Sequence, residues 1–227
     1  MAFHYKSVVP WGRNLDEYTR MFSLDEQDLE KKILGCGDGP ASFNYEMTEL
    51  GNSVISIDPL YQFTKDEIKA RIDETYEEVI TQTRNNQDHF IWTSIKSVDE
   101  LGRIRMAAML KFLKDYDQGK KEGRYIHAEL PVLPFRDGQF GIALSSHFLF
   151  LYTDNLTLDF HIRAVREMLR VSSEVRIFPV IDVNIKTSSY LGPVMENFRK
   201  EGFSSEVIQV NYEFQKGGNR MLRICRS

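Results

Sequence analysis

The chain has 227 residues, of which 42% are apolar and 27% charged, and a formal net charge of -4. This length suffices for one three-layer domain with a sizeable core, so we expect residues 1–227 to form a single domain. The mild acidity argues against a nucleic-acid partner, because phosphate binding needs clustered Lys and Arg. No apolar run is long enough to cross a bilayer, and residues 1–13 lack the apolar core of a secretory signal. We therefore expect a cytoplasmic protein with no membrane partner.

The two cysteines, Cys36 and Cys225, stand at opposite ends of the chain. Neither has a partner at metal-ligand spacing. The sequence therefore predicts no disulfide framework and no metal site, and we expect both cysteines to be small core residues.

The first segment, residues 1–32, is predicted to be helical. Asn14 is a good helix cap, and Leu15, Tyr18 and Phe22 follow it at helical spacing. One or two short helices should therefore precede the first strand.

A strand, a glycine turn and a helix come next. Ile33 and Leu34 predict a short buried strand, which ends in a run of glycines, and Pro40 suits the first turn of the following helix. After Gly51 the apolar run 54–57 predicts a second strand. Two strands joined so closely by a helix must be parallel, in a right-handed crossover.

Residues 60–123 interrupt this alternation. The apolar positions of 65–84 and of 98–116 recur at helical spacing, so both stretches are predicted to be amphipathic helices. The polar stretch 117–123 is predicted to be the turn that closes this helical insertion. An insertion after the second strand emerges at the ligand-binding edge of the sheet, so we expect it to form a cap.

Three more strands and a terminal hairpin complete the expected sheet. Strands are predicted at 125–128, at 140–146, where a nearly continuous apolar run indicates burial on both faces, and at 174–183. Alternation over 207–214, the turn at 216–219 and the run 221–225 predict a β-hairpin. The expected fold is α/β and Rossmann-like: seven mostly parallel strands, a C-terminal antiparallel hairpin, helices on both faces and the helical insertion after strand 2.

The glycine turn and the second strand carry the functional signal. Glycines after a strand let the backbone approach a ligand, and the following helix offers free N–H groups. Asp58 lies 21 residues after Gly37, at the tip of the second strand, where a carboxylate can accept both ribose hydroxyls of a nucleoside. Together these features predict a bound nucleoside cofactor.

Four motifs follow one another along the chain: Gly37-Asp38-Gly39-Pro40, then Asp58, then Leu133-Pro134-Phe135-Arg136-Asp137-Gly138 with Phe140, and finally the hairpin Val207–Cys225. In these motifs and their order the chain resembles the class I S-adenosylmethionine-dependent methyltransferases. The stretches GPASFNYEM, SIDPLY and SSHFLFLY are similar to a bacterial branch of that family whose substrate is unknown. The resemblance implies a single methyltransferase domain, S-adenosylmethionine as cofactor and a small molecule as methyl acceptor.

The resemblance also implies a set of cofactor-binding residues. Glu129 and Ala128 fall where the family borders the adenine ring, and Arg13 is a candidate partner for the cofactor carboxylate. The full predicted set is Gly37, Asp38, Gly39, Pro40, Asp58, Pro59, Ala128, Glu129, Ser145 and Arg13.

Two motif positions depart from the family pattern. Gly35 stands where the family usually has an acidic residue, and Ala41 replaces the third glycine. Asp38 is a nearby substitute for the missing acid, although an aspartate in a loop is also a common turn residue.

The acceptor side is predicted from position along the chain. His147 follows the buried fourth strand at its carboxyl end, where open α/β sheets bind ligands, and its pKa suits proton transfer. We predict His147 as the catalytic base, or alternatively as a structural residue. The predicted substrate-binding residues are Tyr61, Trp92, Ser146, His147 and Tyr152.

Two other functions remain open from the sequence. A glycine turn with a strand-tip acid also describes an NAD-dependent oxidoreductase, which predicts a parallel sixth strand and a catalytic Tyr-x-x-x-Lys pair. A non-catalytic protein that binds S-adenosylmethionine or S-adenosylhomocysteine is the second alternative, and the missing acid at Gly35 supports it. The acceptor atom and the oligomeric state are left open.

Overall fold

The structure, a computed structural model, describes residues 10–226 of the chain. Its centre is one seven-stranded sheet in the order β3-β2-β1-β4-β5-β7-β6. The strands are β1 Ile33–Cys36, β2 Val54–Ile57, β3 Tyr125–Ile126, β4 Phe140–Ser146, β5 Ser172–Phe178, β6 Phe203–Gln209 and β7 Arg220–Arg226. The first five strands are parallel, and β7 lies antiparallel between β5 and β6. The predicted fold class is confirmed.

Seven α-helices accompany the sheet in the described part of the chain. They are α1 Leu15–Phe22, α2 Glu26–Leu29, α3 Phe43–Glu49, α4 Lys65–Asn85, α5 Val98–Lys121, α6 Leu158–Val171 and α7 Leu191–Lys200. Asn14 caps α1 through a capping box with Glu17, as its sequence position predicts. The predicted N-terminal helical segment 1–32 thus contains α1 and α2, while residues 1–9 lie outside the described residues.

The core lies on both faces of the sheet. One apolar cluster packs α6 and α7 against one face and includes Leu34 and Ala143. The other face carries α1 and α3, and its cluster includes Ile33, Ile142 and Leu144. Neighbouring strand residues therefore point into different clusters, as expected for central strands that are buried on both sides.

Three predicted boundaries are wrong by several residues. Strand β5, predicted over 174–183, ends at Phe178. Helix α5 continues to Lys121, so the stretch 117–123 is mostly helix, and Gly119 within it lets the ring of Tyr125 pack closely against the helix backbone. Strand β6 ends at Gln209. Residues 210–214 keep their alternation because Val210, Tyr212 and Phe214 turn into the apolar core without pairing in the sheet.

The helical segment between β2 and β3 covers the carboxyl edge of the sheet. Helices α4 and α5 pack together around Tyr61, Ile68, Phe112 and Tyr116. Within residues 10–226, no helix combines the length and apolar character that a membrane span requires. In the same part of the chain, no group of three His, Cys, Asp or Glu side chains is arranged to hold a metal ion.

Candidate active site

A cavity of about 860 Å³ lies at the carboxyl edge of the sheet. Its walls come from the ends of β1, β2, β4 and β5, from residues 10–13, from α4 and α5, and from the loop 212–218. This is the edge at which open α/β sheets bind ligands, beside the point where the strand order reverses between β1 and β4. The volume is near the upper end of the roughly 300–1,000 Å³ that small-molecule sites occupy.

The glycine turn after β1 forms one wall of this cavity. Gly37 and Gly39 have φ values of +72° and +54°, in the left-handed region that favours glycine. A Cβ atom on Gly37 would lie 3.3 Å from the ring of Phe148. Two bonds from backbone N–H groups fix the turn: Gly37 N donates to the backbone Ile57 O at 2.9 Å, and Gly39 N donates to the side-chain Asp58 Oδ2 at 2.9 Å.

Asp58 stands opposite the glycine turn at the tip of β2. Its Oδ1 accepts from Leu60 N at 2.7 Å and its Oδ2 accepts from Gly39 N. Burial raises the pKa of Asp58 above its ordinary value, although these two N–H groups oppose the rise. Each oxygen keeps a second lone pair, so the carboxylate can accept a further hydrogen bond at each oxygen from a ligand in the cavity.

Asp38 occupies the space that a side chain at position 35 would need. A Cβ built on Gly35 would lie 1.8 Å from Asp38 Oδ2, so only glycine fits there. Tyr18 OH donates to Asp38 Oδ1 at 2.8 Å, and Ser56 Oγ donates to Oδ2 at 2.6 Å. Burial, aided by the nearby Asp58 charge, raises the pKa of Asp38 to about 6. Asp38 thus places a carboxylate in the space that a side chain at position 35 would take.

His147 lines the cavity directly after β4. Its backbone is in the left-handed region at φ +53°, held by a bond from its N–H to Phe178 O at 2.6 Å. Such conformations cost about 1–3 kcal/mol and cluster at functional sites. Nδ1 lies 3.0 Å from Ser146 Oγ. Burial, with Arg13 and Arg105 nearby, holds the pKa of His147 well below its ordinary value, so the imidazole is neutral near pH 7.

A buried ionic cluster that sequence reasoning missed lies beside His147. Arg105, which is 1% exposed, pairs with Glu17 at 2.5 Å. Tyr212 OH donates to the other Glu17 oxygen at 2.9 Å. Arg105 falls on the buried stripe of α5 with Leu101 and Ala108. A charged residue within an apolar stripe was the available signal, because such a side chain is rarely buried without a partner.

Residues 10–13 bring a further cation to the cavity. Gly12 packs so closely on the turn after β1 that a Cβ there would lie 2.1 Å from Pro40 O. Arg13 O accepts from Ser42 N at 3.0 Å, which ties this segment to the same turn. The Arg13 side chain lines the cavity, and its Nη1 donates to Trp11 O at 3.2 Å.

Most of the predicted site residues line this cavity. They are Arg13, Gly37, Asp38, Gly39, Pro40, Asp58, Pro59, Ala128, Glu129, Ser146, His147 and Tyr152. Those that follow β1, β2 and β4 were predicted to meet here, because parallel strands end at a common edge of the sheet.

Three predicted residues do not line it. Ser145 is fully buried, since strand alternation turns its side chain away from the side that Ser146 faces. Tyr61 is also fully buried, with its hydroxyl donating to Gly39 O at 2.7 Å, so it supports the glycine turn from behind. Trp92 lines a shallow surface depression, where its Nε1 donates to Gln87 O at 3.0 Å. In this structure none of the three has a direct path to a ligand in the cavity.

No protein-family model matches the chain. Over 222 residues, 97% of each protein, it is 34% identical to the uncharacterized protein MJ0045 of Methanocaldococcus jannaschii. The chain belongs to the MJ0045 family.

Several solved structures of methyltransferases are also similar to this member of the MJ0045 family. Magnesium protoporphyrin IX methyltransferase (ChlM) from Synechocystis, with bound SAM, has a TM-score of 0.45 at 10% identity, over 89% of this chain and 73% of that one. A TehB-like SAM-dependent methyltransferase from Corynebacterium glutamicum has a TM-score of 0.46 at 14% identity, with 87% and 80% covered. A SAM-dependent methyltransferase from Aquifex aeolicus has a TM-score of 0.42 at 13% identity, with 92% and 93% covered.

Proposed function

We propose that this protein transfers a methyl group from S-adenosylmethionine to a small-molecule acceptor, with both molecules bound in the cavity. The observation that carries the proposal is the pairing of the glycine turn with Asp58 through the Gly39 N–H, together with a second acid, Asp38, in the place of the missing one. This arrangement fits a nucleoside that bears an amino acid.

The cofactor's parts each have a complementary residue. Asp58 would accept hydrogen bonds from the two ribose hydroxyls, and Ala128 and Glu129 would border the adenine at the cavity rim. Asp38 would pair with the amino group and Arg13 with the carboxylate, both as charge-assisted contacts. These pairings would compensate the cost of burying Asp38 and Arg13, whose pKa values burial shifts toward the neutral forms.

The cofactor, when bound, supplies a methyl group that is already activated by its positive sulfur. The protein's own contribution is to place the acceptor in line and to exclude water. His147 faces the cavity as a neutral imidazole and can take a proton from an acceptor hydroxyl. In the tautomer in which Nδ1–H donates to Ser146 Oγ, Nε2 carries no hydrogen and can take that proton.

The sheet argues against the NAD-dependent oxidoreductase. That function predicts a parallel sixth strand, whereas β6 and β7 form an antiparallel hairpin. The chain contains Tyr-x-x-x-Lys spacings, and one of these tyrosines, Tyr212, lines the cavity. Its lysine, Lys216, is exposed outside the cavity wall, so the two side chains do not form a catalytic pair.

The cavity's extent also favours an enzyme over a protein that only binds the cofactor. The space continues past the glycine turn to His147, Phe178 and Phe214, beyond the residues proposed for the cofactor. A second ligand therefore has room beside the first.

Calorimetric titration tests the proposal. S-adenosylhomocysteine should bind the wild type and NAD should not. Asp58→Ala should weaken S-adenosylhomocysteine binding roughly 10–100-fold, because hydrogen bonds to a charged group contribute about 1.5–3 kcal/mol. Asp159→Ala is the matched control, since that side chain is 78% exposed on α6 and should bind as the wild type does. Failure of the wild type to bind any adenosine compound would refute the proposal.

A further inference from the structure

The part of the cavity beyond the glycine turn has its own composition. We call it the inner chamber and define it by seven lining residues: Phe90, Leu101, Arg105, His147, Phe178, Tyr212 and Phe214. Four of them are Phe or Tyr, and they come from three parts of the chain. The ring centroids of Phe90 and Phe214 are 4.8 Å apart, and those of Phe178 and Tyr212 are 5.7 Å apart. Such walls suit a flat, apolar body, because aromatic rings prefer stacked or edge-to-face contacts with other rings.

The charged groups of the inner chamber present positive charge to its interior. Arg105 lines the chamber, whereas its partner Glu17 lies behind it and does not. Both Glu17 oxygens are already engaged, one by Arg105 and the other by Tyr212 OH. Of the three guanidinium nitrogens of Arg105, Nη1 donates to Glu17 and Nη2 donates to Tyr212 OH at 3.4 Å. The third, Nε, has no partner in the described residues. An interior that faces this guanidinium favours an anion and disfavours a cation.

The second cation near the chamber leads to the same conclusion. Within residues 10–226, Arg13 hydrogen-bonds a backbone carbonyl but forms no ion pair with a carboxylate, and its Nε is buried without a partner. If Arg13 holds the cofactor's carboxylate, the Arg105 charge and the positive sulfur still face the acceptor.

The base available in the chamber sets a further limit. A neutral His147, kept weakly basic by its burial and by Arg13 and Arg105, cannot remove a proton from an ammonium group, whose ordinary pKa is near 10.4. An oxygen acid that enters as an anion needs no strong base. Amine acceptors are thus disfavoured both by the charge of the chamber and by the weakness of the base.

We propose that the inner chamber binds an aromatic oxygen acid, a phenol or a carboxylic acid, as its anion, and that the anionic oxygen receives the methyl group. The proposal names the acceptor class and rests on the function proposed above. In the transfer, an oxygen lone pair forms the bond to the methyl carbon while the carbon–sulfur bond breaks, and sulfur keeps that electron pair and becomes neutral. A phenol that enters protonated still has an oxygen lone pair, so its proton passes to His147 as the oxygen–carbon bond forms, whereas an ammonium has no lone pair and would have to lose its proton first. The step cancels one positive and one negative charge, which a chamber with apolar walls favours over water.

Three ligands that share one ring and differ in charge test the acceptor class. Benzoate, benzyl alcohol and benzylamine are titrated into protein saturated with S-adenosylhomocysteine, with acetate as the probe that lacks the ring. Benzoate should bind at least ~10-fold more tightly than the other two ring compounds, as expected for a charge-assisted contact, and acetate should bind weakly. Equal or tighter binding of benzylamine or benzyl alcohol would overturn the proposal.

A double variant tests whether Arg105 causes the preference for benzoate. Removing Arg105 alone would leave Glu17 buried and unpaired, so the test uses Arg105→Met with Glu17→Gln, which removes both charges together. In this double variant the affinities for benzoate and for benzyl alcohol should differ by no more than ~3-fold. The affinity for S-adenosylhomocysteine should remain that of the wild type. Arg163→Met, at a side chain that is 57% exposed, is the matched control and should keep the full preference.

The outcomes separate the two proposals. If S-adenosylhomocysteine does not bind the wild type, the proposed function fails. If it binds but the ligand series shows no preference for benzoate, only the acceptor class fails. A benzoate preference that survives in the double variant also overturns the assignment. Should the double variant not fold, Arg105→Lys is used instead, because it keeps the charge but not the planar fork of the guanidinium. In this variant benzoate should still bind more tightly than benzylamine. Loss of that difference would contradict the charge argument.

Discussion

Replacing Gly35 with alanine is expected to destabilise the protein strongly, because the new Cβ would lie 1.8 Å from Asp38 Oδ2. The carboxylate has to move, and it then loses its bonds from Tyr18 OH and Ser56 Oγ. Each buried hydroxyl left without an acceptor costs about 1–3 kcal/mol, and overpacking adds about 1–3 kcal/mol. We therefore expect a loss of about 3–9 kcal/mol in the free energy of unfolding.

Thermal and urea unfolding measure this effect. For a chain of this size, each kcal/mol lost lowers Tm by about 2–4 °C, so Tm should fall by at least roughly 6 °C. Gly192→Ala is the matched control, because nothing lies within 4 Å of a Cβ built at that position in α7, and it should leave Tm unchanged or slightly raised.

A double-mutant cycle tests the proposed cause. Asp38→Ala empties the space beside position 35, so adding Gly35→Ala to it should cost less than about 1 kcal/mol further. The reasoning is refuted if Gly35→Ala alone costs less than about 1 kcal/mol, or if its cost is the same with and without Asp38.

Three further outcomes follow from the site. First, burial raises the pKa of Asp38 to about 6 from its ordinary value near 3.8, so between these pH values the folded state holds a proton that the unfolded state has lost. Stability from this group is therefore present below about pH 4 and is lost as pH rises to about 6, a decrease of about 3 kcal/mol that Asp38→Asn should abolish in urea unfolding measured across pH 4–7. Second, Tyr61→Phe should lower the free energy of unfolding by about 1 kcal/mol, through loss of the bond to Gly39 O, and leave the KM for the acceptor unchanged; a raised acceptor KM would show that Tyr61 contacts the substrate after all. Third, His147→Ala should reduce kcat about 100-fold or more with a phenol acceptor, with S-adenosylhomocysteine affinity retained, and an unchanged kcat would remove His147 from catalysis.

Local sequence signals predicted the elements that build the site. The strand at 140–146 was predicted with the bounds that β4 has, because its apolar run has to be buried on both faces. The Gly37 and Gly39 turn and Asp58 were predicted to meet, since consecutive parallel strands end at one edge. Helix α5 was predicted to end too early, because turn-forming residues at its end are overridden by the packing of Gly119 against Tyr125.

Residue-level roles were predictable only where position along an element decides them. Ser146 and His147 line the cavity because they follow β4, whereas Ser145, one residue earlier, is turned the other way by strand alternation. Tyr61 and Trp92 flank the helical segment, and sequence position could not show which way their rings point.

By itself, the sequence determined the sheet, the edge at which ligands bind, and the glycine turn with its facing acid, because these depend on periodicity and on residues close together in the chain. Only the tertiary structure decided that Asp38 takes the space beside Gly35. It alone also brought Glu17 into contact with Arg105, 88 residues away in the chain, and with Tyr212, 195 residues away. Contacts across such distances depend on how helices and the terminal loop pack over the sheet, and no local propensity encodes them.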